Sequence, residues 1–461
     1  MSNLIVNNFD VLVTMDDKRT EVVNGNMLIR DGVVDYIGRS SADLNVEKCR
    51  TLDLRGYAVF PGFINTHHHL YQTLTRAVPG AQNSGLFDWL RTLYPIWGKM
   101  NGEAIYISAL VGMAELLLSG CTSSSDHLYM YPNDATLDDS ISAAKDIGIR
   151  FHPTRGSMSL GESDGGLPPD GLVEDEKDIL DDCQRLIESY HNAEVGSMLQ
   201  IGLAPCSPFS VSSKLMEETA EMARSYGVRM HTHLAETRDE EEYCVERFGK
   251  RPLEYVMDLG WNSNEVWLAH MVHCCNKDMK ALATNGIAVT HCPTSNMRLA
   301  SGISPIMKML KLGVDVGLGV DGSASNDGGH ILGEARQAML LARLEASLNQ
   351  SGQSASETDS YFSARQALEL GTRGGAVALG RKDIGQLELG KCGDFFAINM
   401  NKLQYAGALH DPVAAILMCA SNNVDVVVVN GNIVVEDGRL LTIDLGPTIE
   451  RHNEISIGMV A

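Results

Sequence analysis

The sequence predicts an α/β protein: a (β/α)8 TIM-type barrel carrying a small β-sandwich domain built from both chain ends. Three observations carry this reading. Between residues 60 and 385, eight short apolar strands alternate with amphipathic helices. Histidines and one aspartate collect where those strands end, which is where barrel enzymes place their active sites. Residues 1–59 and 386–461 read instead as short strands broken by turn pairs.

The strand-like segments are 57–64, 120–126, 149–154, 199–205, 228–234, Val266–His270, 287–292 and 314–321. Amphipathic helices separate them, for example 104–118, Ser213–Tyr226 and 333–348. This many βα repeats favours a closed parallel barrel. At the N-terminus, Leu4-Ile-Val, Asp10-Val-Leu-Val-Thr and Gly25-Asn-Met-Leu-Ile-Arg read as strands, and Asp31-Gly32 is a strong hairpin signal. The run Val426-Val-Val-Val429, followed by Asn430-Gly-Asn-Ile-Val-Val-Glu-Asp437-Gly438, echoes it near the C-terminus. Residues 446–461 read as a short helix and 354–360 as a polar loop.

Composition narrows the function classes. The chain has 461 residues, 44 % of them hydrophobic, enough for a large core. Its 37 basic and 59 acidic residues give a net charge of −22, which argues against nucleic acid or an anionic membrane as partner. Ten scattered cysteines without a C-x-x-C pair fit a reduced cytoplasmic setting better than a disulfide scaffold. The first ten residues lack a charged segment followed by an apolar one, so no signal peptide is expected, and no 18-residue apolar run is present.

The chemistry begins at Pro61-Gly-Phe-Ile-Asn-Thr-His67-His68-His69. Residues i and i+2 of an extended chain share a face, so His67 and His69 converge. Imidazole is the commonest metal ligand and suits zinc or iron. A second cluster, His231-Thr-His233-Leu-Ala-Glu236, follows the fifth strand; His270 ends the sixth, His291 the seventh and Asp321 the eighth. A carboxylate after an apolar strand is costly to bury unpaired, so Asp321 reads as a ligand, with a local turn before Gly322 as the alternative. Three histidines and Asp321 around one divalent metal leave a position for water, whose pKa such an ion lowers towards ~7. Asp321 then accepts the proton of that water, Glu236 protonates a ring nitrogen of the substrate, and His270 holds the attacking oxygen.

The elements His67-x-His69, His233-x-x-Glu236, Ala269-His270 and Val320-Asp321 resemble the amidohydrolase superfamily, in particular its aminohydrolase branch acting on purines, pterins and triazines. The resemblance covers essentially the whole chain. It implies one zinc, with iron as the alternative, bound by His67, His69, His233 and Asp321, and proton handling by Glu236 and His270. Longer stretches, including Asn65-Thr-His-His-His-Leu-Tyr-Gln-Thr-Leu-Thr-Arg-Ala77 and Ala204-Pro-Cys-Ser-Pro-Phe-Ser210, are similar to the bacterial 8-oxoguanine deaminases of that branch. That similarity implies 8-oxoguanine and water giving urate and ammonia. Guanine, isoxanthopterin or an s-triazine, with loss of an amine or chloride, are the alternatives. Members of the family are often oligomers, so a homo-oligomer is expected.

For substrate contacts the expectation is Gln72 on a purine edge, Trp89 stacking on the ring, Asp126 accepting an N–H and Arg155 on a ring carbonyl. His68, His127, His231, His273 and His291 are expected to orient ligands or to pack. Cys206 is given no chemistry. A non-catalytic barrel would tolerate loss of Glu236 or Asp321, and both are present. A two-metal site would need a bridging lysine at a strand end, and none is there.

Overall fold

Eight parallel strands close on themselves in the computed structural model, which describes residues 3–40, 49–348, 361–419 and 422–461. In order around the barrel they are Phe63–Asn65, Cys121–Leu128, Arg150–Ser157, Gly202–Pro205, Arg229–Leu234, Val266–His270, Ala288–His291 and Val316–Leu318. Closure comes from the pairing of Leu318 with Asn65. All eight expected strands are present, several shorter than the sequence suggests. The polar loop at 354–360 lies outside the described residues. Among the described residues no helix is long and apolar enough to cross a membrane.

One apolar run is divided between two sheets. Residues 57–64 read as a single strand, yet Tyr57–Pro61 pairs with Leu4–Val13 and Phe395–Asn399 in the terminal sheet, and only Phe63–Asn65 enters the barrel. The switch falls at Gly62, where a Cβ would lie 2.0 Å from the Thr122 hydroxyl oxygen, so only glycine lets the two strands approach. His67 and His69 therefore follow the first barrel strand rather than end it.

The chain ends build one continuous nine-stranded mixed sheet rather than two separate sheets. Its N- and C-terminal halves share one core, in which Leu4, Phe9, Met27 and Val34 pack with Phe395, Val426 and Val428. Two-residue turns set its hairpins. Asp31 and Gly32 have φ of 51° and 81°, and Asn430 and Gly431 have 50° and 75°, the left-handed pairs that match strand twist. The C-terminal helix, Leu445–Val460, leaves this sheet and packs on the barrel helix Gly102–Leu118 and the turn Leu70–Thr75. There His452 Nε2 lies 3.0 Å from Thr73 Oγ1, and Ser456 donates to the Leu74 carbonyl.

Candidate metal centre and pocket

Three imidazoles meet one carboxylate at the C-terminal mouth of the barrel. His67 Nε2 and His69 Nε2 lie 3.3 and 3.4 Å from Asp321 Oδ1, and His69 Nε2 lies 3.0 Å from His233 Nε2. Their other ring nitrogens are all engaged, which settles the tautomers. His69 Nδ1 donates to the His127 carbonyl at 2.7 Å and His233 Nδ1 to the Cys206 carbonyl at 2.7 Å. His231 Nδ1 donates to the Trp267 carbonyl, leaving its Nε2 to accept from His67 Nδ1 at 2.8 Å.

It follows that each Nε2 of His67, His69 and His233 carries a bare lone pair, with those of His67 and His69 beside the Asp321 carboxylate and that of His233 beside His69 Nε2. Two lone pairs 3.0 Å apart make no hydrogen bond, and buried His67 Nε2 has no hydrogen-bond partner. A bound cation satisfies such a set. These three separations of 3.0–3.4 Å are close to the roughly 3.3 Å between neighbouring ligands on one ion. Donor atoms of His67, His69, His127 and His233, and those of His67, His270 and Asp321, lie within 4.8 Å of one another in each group. The chain thus holds a histidine-rich metal site.

Electrostatics agree with these states. Burial drives His67 well below its ordinary pKa and takes His233 to about 3, so both rings are neutral at pH 7. Burial would raise Asp321, but His67, His270 and His69 outweigh it and keep the carboxylate ionised. Burial lifts Glu236 to about 7; His270 opposes that rise and Asp321 adds to it. Burial would lower His270, yet Glu236 and Asp321 hold it above its usual value. His270 Nε2 lies 3.6 Å from Glu236 Oε2 and 3.8 Å from Asp321 Oδ2, while its Nδ1 donates to Asn296 Oδ1 at 3.0 Å.

A pocket opens over these groups. Besides His69, His233, Glu236, His270 and Asp321, its walls are Trp89, Tyr94, Tyr129, Phe209 and leucines 86, 90 and 299, with Gln72, Cys206 and Ser325 as the polar points. Leu86, Trp89, Leu90 and Tyr94 come from one helix, Leu86–Trp97, which roofs the site. Trp89 is fixed by its indole N–H on the Ala324 carbonyl. Gln72 packs against the Gly322 backbone, and its Oε1 is buried without a partner. An unpaired amide oxygen facing a pocket asks for a donor from the ligand.

Two expected substrate contacts lie elsewhere. Arg155 is not at the pocket: its guanidinium pairs with Glu174 at 2.7 Å and Asp182 at 2.9 Å and covers the Tyr131 ring. Position 155 faces outward to the helix Glu176–Tyr190, and four of the five guanidinium N–H donors bond to Asp182, Glu174 and the Gly156 carbonyl. Asp126 is buried below the site and accepts the Leu70 N–H at 2.8 Å, anchoring the turn after His69. Among the described residues no lysine or arginine lines the pocket.

The structure also brings in residues the sequence did not single out. Asn296 orients His270 from the segment Pro293–Arg298. Glu334 bridges two loops of the rim, accepting from Thr294 N and Asn326 Nδ2, and burial raises it to about 7. Glu240, within the acidic run Glu240-Glu-Glu242, is buried behind Glu236. The signal for Glu240 is the spacing Thr237-x-x-Glu240, a helix-start pattern. His231 earns a definite role as the acceptor that fixes His67, whereas His68 is buried with neither ring nitrogen bonded.

Comparison with known proteins places this geometry in a lineage. The model of the amidohydrolase family matches residues 58–434. The chain is 43 % identical over 441 residues to an 8-oxoguanine deaminase of Pseudomonas aeruginosa, covering 95 % of each chain. It is 35 % identical to a hydroxydechloroatrazine ethylaminohydrolase of Pseudomonas sp. strain ADP, covering 96 % of this chain and 93 % of the other. Among solved structures, atrazine chlorohydrolase from Arthrobacter aurescens TC1 complexed with zinc superposes with a TM-score of 0.92 at 34 % identity, over 98 % of this chain and 100 % of that one. The barrel, the donor set at its mouth and these likenesses together establish that the chain belongs to the amidohydrolase family.

Proposed function

We propose that this protein hydrolytically deaminates an aminopurine, converting 8-oxoguanine and water to urate and ammonia, with one zinc held by His67, His69, His233 and Asp321. The observation that carries the reading is the cluster in which His67 and His69 Nε2 face Asp321 and His69 Nε2 faces His233 Nε2, beside a buried Glu236 and His270 at the pocket floor. The similarity to the Pseudomonas aeruginosa deaminase over nearly the whole chain supports the substrate. The ten free thiols favour a reducing compartment, the cytoplasm, as its place of work.

The divalent ion, when bound, lowers the pKa of a water towards ~7 so that a nucleophile is available at neutral pH. The remaining work belongs to side chains. Asp321, ionised at pH 7, accepts the proton of the attacking water. His270, held by Asn296 and charged by its carboxylate neighbours, donates to that oxygen and keeps it over the amidine carbon. Glu236, lifted to about 7 by burial, carries a proton for the ring nitrogen beside that carbon. Protonation there lets the ring accept the electron pair; Asp321 then passes the water's proton to the exocyclic amine, which leaves as ammonia while the hydroxyl proton goes to the Glu236 carboxylate and the carbonyl forms. Trp89, Tyr129 and Phe209 supply flat apolar walls for a heterocycle, and Gln72 offers Oε1 to a ring N–H.

The same groups serve guanine, isoxanthopterin or an s-triazine, because selectivity resides in the walls and not in the donor set. A steady-state panel of 8-oxoguanine, guanine, isoxanthopterin and hydroxyatrazine, following release of ammonia or amine, tests the assignment. We expect 8-oxoguanine to give the highest kcat/KM; a better rival moves the substrate, and no turnover on any of them removes the reaction. Glu236→Gln should abolish most turnover while the metal stays bound, and near-normal activity would take Glu236 out of the proton transfer.

A further inference from the structure

The helix Arg238–Phe248 starts with Thr237-Arg-Asp-Glu240, the pattern of a capping box in which the glutamate turns back to the N-cap backbone. Here that glutamate is diverted. Thr237 makes no side-chain cap, and its buried hydroxyl has no partner. Glu240 instead reaches past it: Oε1 accepts the N–H of Ala235 and Oε2 the N–H of Glu236, each at 2.8 Å. Glu240 is 1 % exposed, and burial raises its carboxyl to about 8, opposed by the two N–H groups it accepts.

The backbone it grips is strained. Ala235 has φ of 50°, the left-handed region that a residue with a Cβ rarely enters. That bend turns the chain away from the strand Arg229–Leu234 and directs Glu236 into the pocket. A second tie, from His273 N to the Ala235 carbonyl at 2.9 Å, holds the other side of the same peptide. Without Glu240, both N–H groups are buried donors lacking an acceptor, and the bend relaxes towards ordinary φ.

We propose that Glu240 is a positioning residue whose carboxylate fixes the Ala235–Glu236 bend and so aims the Glu236 carboxyl at the reacting ring nitrogen. The inference rests on the reading of Glu236 as the proton carrier. In the metal-loaded enzyme, Glu240→Gln replaces one acceptor oxygen by an NH2 group that faces an N–H. The expected result is a loss in kcat on the order of 100-fold, since a displacement of about 1 Å suffices for that, with KM and metal content near those of the wild type.

The discriminating measurement is the double variant. If Glu240 acts through Glu236, E240Q costs less than about two-fold in an E236Q background, because the group it aims is already disabled. A full additional loss there, or a fall in metal content matching the fall in rate, overturns the proposal. A nearly active E236Q enzyme sinks the reading of Glu236 itself, which separates the two failures. Should E240Q fail to fold, Glu240→Asp keeps the charge but shortens the reach by one methylene. It should lose about ten-fold in kcat, and a wild-type rate counts against the proposal.

Discussion

His231 never touches the metal position, yet the geometry makes it decide whether His67 can bind there. The buried Nδ1–H of His67 has the His231 Nε2 as its acceptor at 2.8 Å. Replace His231 by leucine and that N–H is left unpaired, at a cost of about 1–3 kcal/mol. His67 escapes by moving its proton to Nε2, which faces Asp321 Oδ1 at 3.3 Å and there finds an acceptor. That tautomer has no lone pair for a metal. Binding zinc must then reverse the shift, so the penalty falls on the bound state, about 1.4–2.7 kcal/mol or ten- to a hundredfold in affinity, the range for lost orienting partners.

Zinc affinity, read by competition with a chromophoric chelator at fixed pH, checks this directly. His231→Leu should bind zinc ten- to a hundredfold more weakly, with kcat largely recovered at saturating zinc. His231→Gln can place an amide oxygen near the lost nitrogen and should bind several-fold more tightly than the leucine variant. The His231 ring stacks on Trp267 at 4.5 Å, so both variants also lose packing. Comparing glutamine with leucine separates that loss from the hydrogen bond. Unchanged affinity in His231→Leu, or equal losses in the two variants, would refute the tautomer argument.

Arg155→Met should lower Tm without changing kcat/KM per bound metal, because its two carboxylate partners lie outside the pocket; removing one member of a buried pair costs roughly 3 kcal/mol. Gln72→Leu should raise KM about ten-fold while kcat changes less, since its unpaired oxygen faces the ligand; steady-state kinetics decide this. Burial raises the Asp126 carboxyl from 3.8 to about 7. A folded-state pKa above the unfolded one means the folded state binds the extra proton, so this stability is full below about pH 4 and is lost as pH rises through 7. Asp126→Asn keeps an oxygen for the Leu70 N–H without the charge. Its Tm relative to wild type should therefore climb between pH 5 and pH 8, and a flat difference would contradict the assignment.

The barrel and its metal donors were legible because two periodicities coincide: strands recur between helices, and the histidines sit where strands stop. Side-chain parity was not legible. Every residue of Arg150–Ser157 and of Cys121–Leu128 is buried, so no alternation of apolar and polar marks which face looks into the barrel. Arg155 therefore reads as a site residue although it points at a helix, and Asp126 as a ligand contact although it holds a turn. The division of residues 57–64 was hidden for a related reason. Both sheets demand the same apolar residues, and only the contact of Gly62 with Thr122 reveals the switch. Glu240 was masked by its neighbours: in Glu240-Glu-Glu242 a buried carboxylate looks no different from a solvated one.

The strained positions explain why so many partners surround so small a site. Ala235, His270 and Asp321 have φ of 50°, 73° and 61°, left-handed values at the C-terminal ends of the fifth, sixth and eighth barrel strands. Each costs on the order of 1 kcal/mol or more, and each is held from a neighbouring part of the rim. Asp321 N donates to the His67 carbonyl, Asn296 takes the His270 ring, and Met271 N, just beyond His270, donates to the Leu234 carbonyl. Glu240 grips Ala235. Every bond joins one strand's loop to another's, or to the helix that follows it. A carboxylate and an imidazole that must share protons within 4 Å cannot be set by one strand alone, because a regular strand end points its residues along alternating faces. The left-handed turns break that alternation, and the cross-links keep it broken. On this argument, loosening any one link should cost rate more than folding stability, since the core that supplies stability lies below the rim.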